Sequence, residues 1–182
     1  MNDVIIFPTD TVYGIGTGFL SKEGIKRIYE IKGRDFNKPL AILCNDLNDL
    51  SDYAYITDKA IKLANKFWPG GLTLILKSKP AYEVLSGEKT IGVRKPNHQL
   101  ALSLLKQYGP LKTTSVNKSG EAPMNDYNQI YEAYHHEVSH IYENNEPLSE
   151  VSSTVVDLTS DEVKIIRLGS ITLEDIKSVL SS

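Results

Sequence analysis

The chain has 182 residues, 41% of them apolar, and a formal net charge of −3. That length suits one domain with a substantial core, here residues 1–182, and that charge exerts no global pull on nucleic acid or an anionic membrane. The single cysteine, Cys44, excludes an internal disulfide and a cysteine-cluster metal site; no apolar stretch approaches the roughly 20 residues that span a bilayer, and no leader pattern opens the sequence, so a soluble cytoplasmic protein is expected.

An apolar run, Val4 to Phe7, reads as a buried strand. It leads into the turn Pro8-Thr9-Asp10-Thr11-Val12-Tyr13-Gly14-Ile15-Gly16, which carries hydroxyls, a carboxylate, a phenol and glycines. Such a strand end can hold a small polar ligand against main chain, or simply cap its own backbone. Ser21 caps a helix to about Ile31, and Gly33 ends it. The segment from Lys32 to Lys38 then places Lys32, Arg34 and Lys38 at a break in structure. A strand follows from Leu40 to Leu43, with Cys44 as a small hydrophobe at its end, and a short helix begins at Asp46.

Thr57 or Asp58 starts a helix with Ala60, Ile61, Ala64 and Phe67 at helical spacing, stopped by Trp68-Pro69-Gly70-Gly71. A strand spans Leu72 to Leu76, and a polar loop runs on through Lys89. Thr90 to Arg94 is a strand ending in a cation. Asn97 caps a helix that uses Leu100, Ala101, Leu104 and Leu105. Leu111 to Val116 is a strand that ends in clustered hydroxyls. A polar helix covers Tyr127 to Tyr134. Two strands, Thr154 to Leu158 and Val163 to Leu168, flank a tight Ser160-Asp161 turn. Thr172 caps a last helix. Strands and helices interleave, so the fold class is α/β: a single domain with a twisted sheet flanked by helices. The late pair has too short a turn for a crossover and is antiparallel, so the sheet is mixed.

The strand ends share a chemistry. Thr11, Tyr13, Thr90, Arg94, Thr113, Ser115, Asn117, Ser153 and Arg167 recur there, beside Lys32, Arg34 and Lys38. Gathered together they would form a concave basic cavity for a polyanion, because arginine grips phosphate in a bidentate way and hydroxyls fill the remaining lone pairs. Singly, each is a surface charge or a strand-end hydroxyl. Walker A and nucleophile-elbow motifs are absent, and Gly14-x-Gly16-x-Gly18 lacks the dinucleotide spacing. His136 and His140 have the spacing of one helical turn, which a metal accepts; the polar surroundings and the lack of a clear third ligand favour a solvated helix face instead.

Seven motifs, in order from about residue 4 to 170, resemble those of the YrdC/TsaC family of threonylcarbamoyl-AMP synthases. They are the Pro8–Gly16 turn, Lys32-Gly-Arg34 with Lys38-Pro-Leu, Trp68-Pro-Gly-Gly-Leu-Thr73, Thr90-Ile-Gly-Val-Arg94-Lys-Pro96, Thr114-Ser-Val-Asn117-x-Ser-Gly120, Ser153-Thr-Val-Val-Asp157 and Ile166-Arg-Leu-Gly169. The resemblance implies a YrdC-like fold and the conversion of L-threonine, bicarbonate or CO2, and ATP into threonylcarbamoyl-AMP and pyrophosphate. The product would pass to the tRNA threonylcarbamoyl transferase machinery for the t6A modification at adenosine 37. It implies a catalytic set of Lys32, Arg34, Ser115 and Asn117. ATP would meet Arg34, Lys38, Thr90, Ser115, Asn117 and Arg167. Threonine would meet Thr11, Tyr13, Arg94, Thr113 and Ser153. Mg²⁺ would accompany ATP, with its ligands unassigned, and tRNA contact would be weak.

Five features depart from the family pattern. Only seven residues precede Pro8, where relatives carry a helix, and the sequence stops before the linker and second domain of longer members. Asp35 replaces a common proline, Val116 a common alanine, and Ala122-Pro123 a frequent Pro-Ser. A reading from another class treats the same cavity as an RNA-binding module without turnover. The pI of about 5.8 weighs against that reading.

Overall fold

Successive side chains on a strand point to opposite faces, and that alternation sets this architecture. The computed structural model describes residues 1–181. The strands are β1 (Ile5–Phe7), β2 (Gly14–Gly18), β3 (Ala41–Leu43), β4 (Leu72–Lys77), β5 (Thr90–Arg94), β6 (Leu111–Ser115), β7 (His140–Ile141), β8 (Thr154–Asp157) and β9 (Lys164–Arg167). The helices are α1 (Lys22–Lys32), α2 (Asp58–Phe67), α3 (Pro80–Ser86), α4 (Gln99–Tyr108), α5 (Tyr127–Tyr134) and α6 (Leu173–Ser181). All nine strands form one sheet in the order β7-β1-β2-β6-β3-β5-β4-β8-β9. The pairs β1/β7, β3/β5 and β4/β8 are parallel and the others antiparallel, so the sheet is mixed as expected.

Register shows which side chains share a face. Ile6 stands opposite Ile15, Ile42 opposite Val93, Val93 opposite Leu74, and Leu74 opposite Val156. These residues are fully or almost fully buried. They pack against Ile28 of α1, Leu63 of α2, Tyr82 of α3, Ile130 of α5 and Ile176 of α6, so five helices cover this face. On the other face Ile5, Phe7, Leu43 and Leu111 pack against Ala101, Leu104 and Leu105 of α4. Beyond that helix the second face is hollow.

The helix signals behave as chemistry requires. Ser21 accepts the Gly24 N–H at the start of α1, a cap worth about 1 kcal/mol, and Gly33 closes the helix at φ 57°. Thr57 caps α2 through the Ala60 N–H.

Four expectations are corrected. Gly14 to Gly16, expected as the end of the turn, belong to strand β2: a Cβ on Gly16 would stand 2.8 Å from Thr113 Oγ1 and 3.1 Å from the Phe7 ring, so only glycine lets the strands and side chains approach this closely. The stretch taken as a polar loop contains α3, with Pro80 at its first turn, where the missing N–H costs nothing. His98, not Asn97, caps α4. α5 ends at Tyr134 and His140 belongs to β7, so His136 and His140 are not one helical turn apart. Among the described residues no group of three or more His, Cys, Asp or Glu side chains could hold a metal ion. No helix among them is long and apolar enough to cross a membrane.

Candidate functional site

The hollow on the second face is a cavity of about 260 Å³. Cross-strand partners line it in pairs: Gly14 with Ser115, Ala41 with Thr113, Leu43 with Arg94, Ile75 with Gly92, Thr73 with Val155, and Val155 with Arg167. Strands β4 and β5 divide their side chains between the helix-covered core and this cavity. On β4, Leu72, Leu74 and Leu76 are core, while Thr73 and Ile75 line the cavity. On β5, Ile91 and Val93 are core, while Thr90, Gly92 and Arg94 line it. Glycine and alanine at positions 14, 92 and 41 leave the space that larger side chains would fill.

Nine of the expected residues lie on this wall: Thr11, Tyr13, Arg34, Thr90, Arg94, Thr113, Ser115, Ser153 and Arg167. Lys32, Lys38 and Asn117 do not. Three guanidinium groups and no carboxylate are among the lining residues.

Arg94 is the most constrained of the three. Its Nε donates to the Gly70 carbonyl at 2.9 Å, Nη1 to Thr11 Oγ1 at 2.7 Å, and Nη2 to Asp10 Oδ1 at 2.5 Å. Burial lowers the guanidinium pKa from its usual value, and the nearby Arg167 charge adds to that, while Asp10 opposes both. A guanidinium has five N–H groups. Three are used, so two have no acceptor among the described residues. The same Asp10 oxygen accepts the Asn97 N–H at 2.9 Å, tying the turn to the start of α4. From outside, Ser149 N–H donates to the Asp10 carbonyl and Glu150 N–H to the Thr11 carbonyl. Glu150 holds φ 58°, a left-handed conformation uncommon for a residue with a side chain.

Arg34 folds onto its own loop, with Nε donating to the Lys38 carbonyl and Nη2 to the Pro39 carbonyl, each at 3.1 Å. The Lys38 carbonyl also accepts the Tyr29 hydroxyl at 2.8 Å, so the segment after Gly33 is fixed by its main chain. Arg167 grips the other end of the cavity. Its Nε donates to the Ser153 carbonyl at 3.0 Å and its Nη2 to Ser153 Oγ at 3.1 Å. The Tyr13 phenol, pushed up to about 12 chiefly by burial, stays neutral and donates to the Tyr142 carbonyl.

Lys32 is 2% exposed and lies behind the wall. Its ammonium donates to the Ser115 carbonyl, the Asn117 carbonyl and Asn117 Oδ1, at 2.5, 3.0 and 2.5 Å. Ser115 Oγ donates to the same Asn117 oxygen at 2.9 Å. All three ammonium protons are therefore occupied, and Lys32 shapes the turn that presents Ser115. Its pKa is lowered to about 8, first by burial and then by the Arg34 and Lys118 charges.

Asp10, which holds Arg94, and Thr73, on the wall, were not among the expected site residues. Asp10 was visible only as a turn carboxylate with a local capping role. Thr73 belongs to a quoted motif, and its signal was alternation: a hydroxyl between Leu72 and Leu74 on a strand whose leucines are core.

The model of the Sua5/YciO/YrdC family, described as "Telomere recombination", matches residues 1–169. The threonylcarbamoyl-AMP synthase of Bacillus subtilis is 35% identical, across 98% of this chain and 53% of its own length. A putative threonylcarbamoyl-AMP synthase of Methanocaldococcus jannaschii is 34% identical, across 94% of this chain and 82% of its own. The crystal structure of Pyrococcus abyssi Sua5 complexed with L-threonine aligns with a TM-score of 0.91 at 35% identity, covering 98% of this chain and 54% of that one. The chain thus spans about half the length of the B. subtilis and P. abyssi proteins and about four-fifths of the M. jannaschii protein. Matched over nearly its whole length by one family model and by relatives above 30% identity, the chain belongs to the Sua5/YciO/YrdC family.

Proposed function

We propose that the chain makes threonylcarbamoyl-AMP and pyrophosphate from L-threonine, bicarbonate or CO2, and ATP. The observation that carries the reading is the gathering of Arg34, Arg94 and Arg167 with strand-end hydroxyls in one cavity free of lining carboxylates. The relatives named threonylcarbamoyl-AMP synthase and the threonine complex of Sua5 support the choice of substrates.

The threonine amine and bicarbonate form a carbamate with loss of water. A carbamate oxygen attacks the α-phosphorus, the bond to the β-phosphate oxygen breaks, and pyrophosphate leaves. Negative charge grows on the phosphorus oxygens and the leaving group. Fixed guanidinium groups stabilise it, and confinement aligns two reactants that would rarely meet in solution.

In this reading Arg34, Thr90, Ser115 and Arg167 face the nucleotide, with Lys38 at the loop edge. Thr11, Tyr13, Arg94, Thr113 and Ser153 face threonine, whose carboxylate takes the two N–H groups left on Arg94. Lys32 and Asn117 act by positioning Ser115. The lining offers no carboxylate, and Asp10 is held by Arg94 and Asn97. The wall therefore does not make a protein-built Mg²⁺ cage, and the ion would be bound through the triphosphate that carries it. The product would serve tRNA t6A synthesis in the cytoplasm, and the whole chain 1–182 would act as one domain.

The test is pyrophosphate release from ATP by the full chain. Release should require both L-threonine and bicarbonate. Release indifferent to threonine would overturn the reading, and salt-sensitive RNA binding without turnover would replace it.

A further inference from the structure

Thr73 has no role in the reading above, yet its environment defines one. It is 5% exposed and lies on the cavity wall in β4. Its Cγ2 methyl is directed toward Gly92, 3.7 Å from where a Cβ on that glycine would stand. A β-branched side chain has few rotamers, and with the methyl on that side the hydroxyl meets Ser153 Oγ at 2.8 Å.

Proton bookkeeping then defines what Ser153 can do. The Arg167 guanidinium only donates, so Ser153 Oγ accepts the Nη2 proton. A hydroxyl oxygen has two lone pairs and one proton. If Thr73 donates to Ser153, both lone pairs of Ser153 are filled, and its own proton is left for the cavity. The reverse donation would place the free proton on Thr73, and Ser153 would then offer the cavity no donor. Arg167 polarises the Ser153 O–H and strengthens it as a donor toward an anionic oxygen, which favours the first arrangement for a bound carboxylate or phosphate.

We infer that Thr73 is a positioning residue that fixes Ser153 as a hydrogen-bond donor to an anionic substrate oxygen. This rests on the proposed reaction, in which that oxygen is the threonine carboxylate. Arg167 faces the nucleotide in the same reading and is anchored on Ser153 by two bonds. Ser153 therefore joins the two halves of the cavity, and Thr73 controls its orientation.

The experiment compares wild type, Thr73→Val and Thr73→Ser in the full chain, with folding checked by thermal unfolding. Two readouts are taken: threonine-dependent pyrophosphate release and calorimetric binding of L-threonine in the presence of ATP. Thr73→Val removes only the hydroxyl's hydrogen bonds at nearly constant shape. It should raise both the KM and the Kd for L-threonine about tenfold while kcat changes less than about threefold. Preference for L-threonine over L-threoninamide should fall with it. Thr73→Ser restores the hydroxyl and should recover most of the affinity.

Unchanged threonine affinity in a folded Thr73→Val variant, with an active wild type, overturns this inference and leaves the reaction standing. Thr73→Ser as weak as Thr73→Val also overturns it. A wild type that binds L-threonine but does not turn it over contradicts the reaction alone, and the binding comparison still decides Thr73. A wild type that does neither overturns both.

Discussion

Each face of the sheet buries a cation beside a carboxylate, and the two pairs differ in what surrounds them. On the helix-covered face Lys112 is 3% exposed. Its ammonium pairs with Glu88, donates to the Tyr82 hydroxyl at 2.6 Å, and lies 5.2 Å from the Tyr82 ring centroid. Tyr82 in turn donates to Glu88 at 2.7 Å, closing the cluster on itself. On the cavity face Arg94 pairs with Asp10, yet two of its N–H groups have no acceptor among the described residues. Lys112 is the immediate neighbour of Thr113, which lines the cavity, and strand alternation alone sends it to the opposite face. Burial of a cation therefore does not mark a binding site, and what distinguishes Arg94 is donor capacity left over beside a hollow.

The largest effect should come from opening the closed pair. Glu88→Ala leaves the Lys112 charge buried without its partner and should cost about 3 kcal/mol in urea unfolding. The KM for threonine should stay within about twofold. A large KM change with unchanged stability would show that the two faces are not functionally separate.

The cavity side should respond in the opposite way. Arg34 is half-buried, lies on the wall and donates to the Lys38 and Pro39 carbonyls of its own loop. Arg34→Ala should lower turnover by roughly 100-fold or more, with unfolding free energy changed by less than about 1 kcal/mol. An active variant would remove Arg34 from the proposed phosphate site.

The smallest effect concerns Lys32, whose three protons all have acceptors and which sits directly behind the wall. An unfolded lysine keeps its proton to about pH 10.5, whereas folded Lys32 begins to lose it at about 8. Below pH 8 both states are protonated, and the cost of the buried charge is fully present. Between pH 8 and 10.5 the unfolded chain binds more protons, so this site's contribution to stability rises with pH. Wild type should therefore gain stability relative to Lys32→Met across that window, on the order of 1 kcal/mol, in denaturant titrations at several pH values. A difference that is flat or falls with pH would contradict the lowered pKa.

Much of this was legible because local rules and tertiary structure agree. Ser21 and Gly33 bracket α1 as their chemistry requires, and the leucines of β4 announce a buried strand. The first glycines of β2 misled because local propensity reads Gly14-Ile15-Gly16 as the end of a turn, while the reason for them, close approach to Thr113 and Phe7, lies on other strands. α3 was hidden for a similar reason. Its one fully buried anchor, Tyr82, is held by Glu88 just past the helix and by Lys112 on β6. At the site, residue types and strand ends pointed to nine of the wall residues. They could not show that Lys32 spends its three protons on backbone and amide oxygens, because that depends on where β6 passes behind α1.

A crystal structure of the chain with ATP and L-threonine tests the central claim most directly. Phosphate oxygens should lie against Arg34 and Arg167, and the threonine carboxylate against Arg94 and Ser153, in the hollow of the second face. Ligands seated elsewhere, or a nucleotide whose phosphates avoid all three arginines, would contradict it.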